Sequence, residues 1–357
     1  MIFRNREFMS AARPAGSNSN LMSHVFIIAE AGVNHNGSLD LALRLVDAAK
    51  ASGADAVKFQ TFRADLLTTR SAHKAPYQER TTANAESQFE MLQRLELDAA
   101  AHQRLIDHCR QIGIQFLSSP FDAQSADLLA TMNVPLYKVP SGEITNLPFL
   151  QHLARKNRPL ILSTGMSTLG EVEEAVHVLQ AAGATQLTLL HCVTEYPAPY
   201  AEVNLRAMQT LKSAFGLPVG YSDHTPGIDI AIAAVALGAE VIEKHFTLDR
   251  SLPGPDHPAS LEPVELQQMV AAIRHVEAAL GTGIKAPAPC ELLNLSVARK
   301  SVVAARSLPA GHRLATGDLD IKRPGNGLAP KLLPALIGRT LRTGVAKDEI
   351  INWNHLA

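Results

Sequence analysis

The sequence predicts a (β/α)8 barrel followed by a small β-rich module, and three observations carry that prediction. Eight short, continuously apolar runs alternate with amphipathic ones between His24 and Gly281, a span close to the ~250 residues typical of such barrels. Each apolar run ends in ionisable or hydroxyl residues. Beyond Gly281 the pattern changes to short strand-like pieces with frequent turns. An open doubly wound sheet is the competing architecture, but it rarely repeats so many regular units.

In chain order, residues 1–23 are rich in Ser, Asn, Arg and Pro and lack the apolar core of a signal peptide. They are expected to form a disordered extension, with Met22 as an alternative start. The expected strands are HVFIIAEAG (24–32), AVKFQTF (56–62), IQFLSSPF (114–121) and LYKVPSG (136–142), then LILSTGM (160–166), LTLLHCVTEYP (187–197), PVGYSDHT (218–225) and VIEKHFTL (241–248). Their apolar stretches are continuous rather than alternating, as in strands covered on both faces. Between them lie amphipathic runs such as LDLALRLVDAAKASGA (39–54) and LGEVEEAVHVLQAAGA (169–184), each closing on a Gly-containing turn suited to a helix C-cap.

Two segments break the rhythm. Residues 63–97 are long for a strand-to-helix connection, a length characteristic of lids and binding loops. The stretch GTGIKAPAPC (281–290) reads as the start of a linker, assigned to 282–297, that separates the barrel (24–281) from a module at 298–357. That module has too few residues for a large private core and is expected to lean on another surface.

Lys and Arg (33) balance Asp and Glu (34), which argues against nucleic acid or an acidic membrane as partner. No apolar run approaches the roughly 20 residues of a membrane span. Cys109, Cys192 and Cys290 are odd in number and widely spaced, fitting a reducing cytoplasm rather than a disulfide framework.

In a barrel the C-terminal strand ends form one face, and active sites sit there. The candidates at that face are, by strand, Glu30, Asn34 and His35; Lys58 and Gln60; Ser118 and Ser119; Lys138, Ser141 and Glu143; Ser163 and Thr164. The last three strands add His191, Thr194, Glu195 and Tyr196; Ser222, Asp223 and His224; Glu243, Lys244 and His245. Two lysines among serines suit a small anion, because ammonium groups give charge and hydroxyls give directional hydrogen bonds. A lone histidine is usually a surface or satisfied core residue. His224 and His245, however, end consecutive strands, so both imidazoles stand side by side and suit a divalent metal with open positions. With Glu30 and Glu243 nearby for proton transfer, the residues point to metal-assisted carbon–carbon chemistry.

The motifs EAGVNHNGS (30–38), KFQTF (58–62), SSPFD (118–122), KVPSGEITNLP (138–148), STGM (163–166), HCVTEYPAPY (191–200), GYSDHT (220–225), EKHFTLDRSLPGPDH (243–257) and KRPGNG (322–327) resemble the sialic acid synthase family. The likeness runs in order over residues 25–351, and the final module resembles the antifreeze-like (SAF) domain of these enzymes. It implies condensation of phosphoenolpyruvate with open-chain N-acetylmannosamine, giving a nine-carbon sialic acid and phosphate. The competing acceptors are 2,4-diacetamido-2,4,6-trideoxymannose, which yields N,N′-diacetyllegionaminate, and the 6-phosphate sugar. A metal-dependent barrel aldolase or isomerase is the alternative from another enzyme class, and a carbohydrate- or ice-binding protein the non-enzymatic one.

Position by position, the resemblance implies that His224 and His245 hold the metal, Mn²⁺ first with Mg²⁺ or Co²⁺ as alternatives. Glu30, Lys58 and Lys138 become the catalytic residues. Ser119, Lys138, Ser141, Ser163, Thr194, Tyr196 and Ser222 surround phosphoenolpyruvate, although Thr194 departs from the asparagine of some relatives. Gln60, Glu143, Glu243 and Asp256 face the sugar. Arg323 is implied to reach the partner subunit's sugar site in a domain-swapped homodimer.

Overall fold

A computed structural model describes residues 24–82 and 86–357. The expected extension at 1–23 lies outside the described residues. The chain divides into two compact units at the Gly281/Thr282 boundary.

Eight parallel strands form the first unit: β1 (Phe26–Gly32), β2 (Ala56–Thr61), β3 (Gln115–Pro120), β4 (Tyr137–Val139), β5 (Leu160–Ser163), β6 (Leu187–Cys192), β7 (Val219–Asp223) and β8 (Val241–His245). Ladders join them in the order β3-β2-β1-β8-β7-β6-β5-β4. β3 and β4 pack side by side without a backbone ladder, so contact rather than hydrogen bonding closes the ring. Almost every strand residue is buried, as the continuous apolar runs require of strands with two covered faces.

Helices cover the outer face, beginning with α1 (Leu39–Ala51), whose buried Ala42, Leu45, Val46 and Ala49 follow the 3.6-residue period. Ser38 starts this helix by accepting from the Leu41 N–H. The long connection after β2 holds three helices, α2 (Ala64–Leu67), α3 (Pro76–Thr81) and α4 (Gln88–Leu95). α4 begins with a reciprocal Ser87–Glu90 capping box and buries Phe89, Met91 and Leu95. The helices α5 (Ala99–Ile112) and α6 (Ala123–Thr131) flank β3, and the alternation then continues to β8. Outward strand residues and the inner faces of the helices form one large core, which includes Ile27, Val57, Phe116, Leu150, Leu189 and Ile242.

The second unit pairs two antiparallel strands, Ser301–Ala304 with Leu319–Lys322, and adds bridges such as Leu308 with Val345 and Leu341 with Leu356. Val302, Leu308, Leu314, Leu336, Leu341 and Ile351 belong to a buried cluster of its own. The stretch expected as a linker carries a short helix, Leu292–Ala298, none of whose residues is buried.

Candidate active site

A parity rule builds the site. Side chains two residues apart on a strand share a face. Ile28, Ala56, Leu117, Ile161, Leu190 and Val241 fill the barrel interior as an apolar plug, with Leu136 packed against it. Two residues further along those strands stand Glu30, Lys58, Ser119, Ser163, Cys192, Glu243 and Lys138, and all line one cavity. β7 contributes Ser222 to the same layer, above Gly220. A Cβ at Gly220 would sit 2.3 Å from Val241 O, so only glycine fits beneath the serine. One pleat higher, Gln60, Thr194, His224 and His245 continue the wall. The cavity measures about 420 Å³, within the range of small-molecule sites.

The opposite parity faces the helices. Ser118 bonds Thr61 (Oγ–Oγ1 2.6 Å), His191 Nε2 lies 2.7 Å from Val203 O, and Thr164 donates to Leu190 O. Asp223 and Lys244 pair with each other, and Asn34 and His35 are buried without lining the cavity. These residues sit at the strand ends, as expected, but the pleat turns them out of the rim.

The lower layer is an ionic lattice. Lys58 Nζ lies 2.6 Å from Glu30 Oε2 and 3.7 Å from Glu243 Oε2, and it donates to Ser119 Oγ at 3.1 Å. Lys138 Nζ and Ser222 Oγ both donate to Glu243 Oε1 at 3.0 Å. Glu243 is thus the counter-ion of both lysines, in the same cavity as Gln60 and Asp256. The two carboxylates are pushed apart. Burial, with Glu243 adding to it, lifts the Glu30 carboxyl to about 7 against the pull of Lys58. Burial also opposes charge on Glu243, but Lys138 and Lys58 outweigh it and hold that carboxylate below its usual range. Lys58 stays charged because its two carboxylate neighbours overcome the cost of burial.

Two buried hydroxyls, Ser163 Oγ and Thr194 Oγ1, have no protein partner. Buried polar atoms are normally satisfied, so both are suited to a ligand oxygen. Ser141 Oγ accepts from the Gly165 N–H at 2.9 Å and lies 3.1 Å from Cys192 Sγ. Gly165 is needed here, since a Cβ would come within 2.3 Å of Thr194 Oγ1.

His224 and His245 have ring centroids 5.5 Å apart. His224 Nδ1 is 2.6 Å from Val193 O, an atom that can only accept. Nδ1 therefore carries the proton and Nε2 offers its lone pair, the usual outer support of a metal-binding imidazole. Burial lowers the His224 pKa to about 4 and, with the neighbouring His224 adding to it, holds that of His245 well below its ordinary value, keeping both rings neutral. His245 Nδ1 is buried and unpartnered, 3.8 Å from Asp256 Oδ2. Such a donor pair fits a divalent cation that takes its remaining ligands from substrate and water. Among the described residues no cluster of three or more His, Cys, Asp or Glu side chains is arranged for a metal.

Gln60 Nε2 donates to Glu30 Oε1 at 3.3 Å, and burial raises the Asp256 carboxyl to about 6. Both residues line the cavity. Glu143 does not: it accepts from Asn146 Nδ2 at 2.7 Å, in a 3-10 turn that breaks strand parity just after β4. Arg323 is an exposed residue of the second unit.

The lid residues were missed at the sequence level. Leu67, Thr68, Tyr77, Gln78, Gln88, Met91, Leu92 and Leu95 all line the cavity. Tyr77 packs on Tyr196 (centroids 4.8 Å), which packs on His224 (4.2 Å). Arg80 pairs with Glu195, and Thr81 donates to Pro255 O. A long βα connection was the available signal; which of its apolar residues face the cavity was not legible.

The chain is similar to the N,N'-diacetyllegionaminic acid synthase of Campylobacter jejuni, at 53% identity over 92% of this chain and 99% of that protein. The enzyme of the same name from Legionella pneumophila is 47% identical over 98% of both chains. The crystal structure of N-acetylneuraminic acid (sialic acid) synthetase from Leptospira borgpetersenii matches with a TM-score of 0.67 and 37% identity, over 76% of this chain and 90% of that one. No described helix is long and apolar enough to cross a membrane. With residues 45–285 matching the NeuB family and 299–357 the SAF domain, the chain belongs to the NeuB family of sialic acid synthase-type enzymes.

Proposed function

We propose that this enzyme condenses phosphoenolpyruvate with open-chain 2,4-diacetamido-2,4,6-trideoxymannose, giving N,N′-diacetyllegionaminate and phosphate. The observation that carries the chemistry is the inward layer itself. Two lysines and two unpartnered hydroxyls, Ser163 and Thr194, adjoin two neutral imidazoles and a carboxyl raised toward neutrality. The acceptor rests on the two relatives at 53% and 47% identity, which favour it over the N-acetylmannosamine of the first expectation.

In this reading Lys58 and Lys138 neutralise the phosphoenolpyruvate anion, and the serine and threonine hydroxyls fix its oxygens. His224 and His245 would hold a divalent cation, with Mn²⁺ favoured, which when bound polarises a carbonyl oxygen as a Lewis acid. Glu30 delivers its proton to the aldehyde oxygen as C3 of phosphoenolpyruvate bonds to the aldehyde carbon. Water adds at C2 and returns a proton to Glu30, and collapse of the resulting hemiketal phosphate breaks the C2–O bond, so that phosphate leaves with the hydroxyl proton and C2 becomes the ketone. The lid excludes bulk water and holds both reactants in line.

The test is phosphate release from phosphoenolpyruvate with each candidate sugar: the diacetamido trideoxy sugar, N-acetylmannosamine and its 6-phosphate. The diacetamido sugar is expected to give the highest kcat/KM. A preference for N-acetylmannosamine would return the reading to N-acetylneuraminate synthesis. No phosphate release with any sugar would favour an aldolase or isomerase.

A further inference from the structure

The cavity has two unlike walls. Its floor is the ionic and hydroxyl layer of the strands; on the lid side α3 contributes the polar Tyr77 and Gln78, whereas the part built from α2 and α4 is largely apolar. Val33, Phe62, Met91 and Leu95 form a buried cluster there, and the half-buried Leu67 and Leu92 pack on it while bordering the cavity. A single polar pair interrupts this surface. Thr68 Oγ1 donates to Gln88 Oε1 at 3.0 Å, which fixes the amide and leaves Gln88 Nε2 as the donor.

On this α2–α4 face, apolar carbon beside one oriented N–H donor is a poor match for a chain of hydroxyls, each of which would lose water without a partner. It matches a methyl group next to an amide carbonyl. Because the imidazoles and Glu30 hold the reacting end at the floor, the lid wall is left for the far end of the acceptor.

We infer that Leu67, Leu92 and Gln88 form a subsite for the distal end of the acceptor, the leucines contacting its C6 methyl and Gln88 Nε2 donating to the C4 acetamido carbonyl. The inference rests on the acceptor reading above and assigns the discrimination to the lid. Leu92 and Gln88 here select among acceptors; they take no part in the bond-making step.

The experiment compares kcat/KM for 2,4-diacetamido-2,4,6-trideoxymannose and N-acetylmannosamine in wild type, Leu92→Ser, Gln88→Leu and Leu92→Met. A hydrophobic pocket loses roughly 10–200-fold per misplaced methyl-sized group. The diacetamido-to-monoacetamido ratio should therefore fall at least about tenfold in Leu92→Ser and in Gln88→Leu. The loss should appear mainly in KM for the sugar, with KM for phosphoenolpyruvate held within about twofold. Leu92→Met should keep the wild-type ratio. A wild type that prefers N-acetylmannosamine overturns the acceptor reading and this subsite with it. A wild type that prefers the diacetamido sugar, with an unchanged ratio in both disruptive variants, overturns the subsite alone. Equal loss on both acceptors leaves the ratio unchanged and counts against it in the same way.

Discussion

Lys244 Nζ lies 2.7 Å from Asp223 Oδ2 in an ion pair with no solvent exposure, each partner one residue before a histidine of the candidate metal pair. Lys244 also donates to Thr225 O at 2.5 Å, and Asp223 Oδ1 accepts from the Thr225 N–H and hydroxyl. The network ties β7, β8 and the turn after His224 together on the outer face. His224 and His245 project inward from that same backbone. Their separation is therefore set by charges the cavity never sees.

Removing one partner strands the other charge in the interior, which typically costs 3–5 kcal/mol. Lys244→Met should lose about that much stability and also bind Mn²⁺ more weakly, though it leaves both imidazoles in place. The double variant Lys244→Met, Asp223→Leu should be less destabilised than either single change, because no charge is left unpaired. Urea unfolding and calorimetric Mn²⁺ titration, with His224→Ala, His245→Ala as the non-binding reference, measure both effects. Wild-type Mn²⁺ affinity in Lys244→Met would separate the brace from the metal site.

Glu30→Gln tests the proton donor. The side chain keeps its size and its contact with Gln60, but it can no longer give up a proton to the aldehyde oxygen. Turnover should fall by about 10²–10⁴-fold, the usual contribution of a general acid or base. Thermal unfolding should change little, since Lys58 retains Glu243 as a partner. Turnover close to wild type would remove Glu30 from the reaction.

The buried histidines predict how stability depends on pH. Burial lowers His35 to about 3, and His224 and His257 to about 4, from an ordinary value of 6.5. Between about 4 and 6.5 the unfolded chain binds protons at these rings that the folded chain refuses, so stability rises with pH across that window. The contribution is complete above 6.5 and is lost as pH falls toward 4. Each such ring adds a slope approaching 1.4 kcal/mol per pH unit. In urea titrations from pH 4.5 to 7, His35→Gln should flatten the curve by about one proton's worth.

Strand positions were legible because covered parallel strands must be apolar without a break, and each of the eight expected runs contains its observed strand. The end of the barrel that holds the chemistry was legible as well. What stayed hidden is parity. Ser222, Asp223 and His224 are equally polar in sequence, yet only the pleat turns the outer two inward and Asp223 out. Parity cannot be counted through the 3-10 turn after β4, where Ser141 lines the cavity and Glu143 bonds Asn146. The lid segment was legible from its length, but its lining residues were not: α2 and α3 are too short for a helical period to declare itself, and apolar residues at a cavity wall look like core.

The last prediction concerns the second unit, where the Asp318 carboxylate is a hub. It accepts from His312 Nε2 at 2.7 Å, from the Ala315 N–H at 2.8 Å, and from Arg306 Nε and Nη2 at 3.0 and 2.7 Å. His312 and the Ala315 N–H, with Arg306 behind them, hold its pKa well below the ordinary carboxylate value of 3.8 despite the opposing effect of burial. A depressed carboxylate stabilises the fold above the unfolded-state pKa, and that stability is lost as pH falls below it. Asp318→Asn keeps the shape but removes the charge that collects four donors. It should destabilise the unit by roughly 1.5–3 kcal/mol, the range for hydrogen bonds to a charged group. Amide exchange of residues 301–304 and 319–322, followed at pH 7, should report the loss locally while barrel strands such as 241–245 keep their protection. Equal protection of these two strands in wild type and variant would show that the hub contributes nothing measurable to this unit.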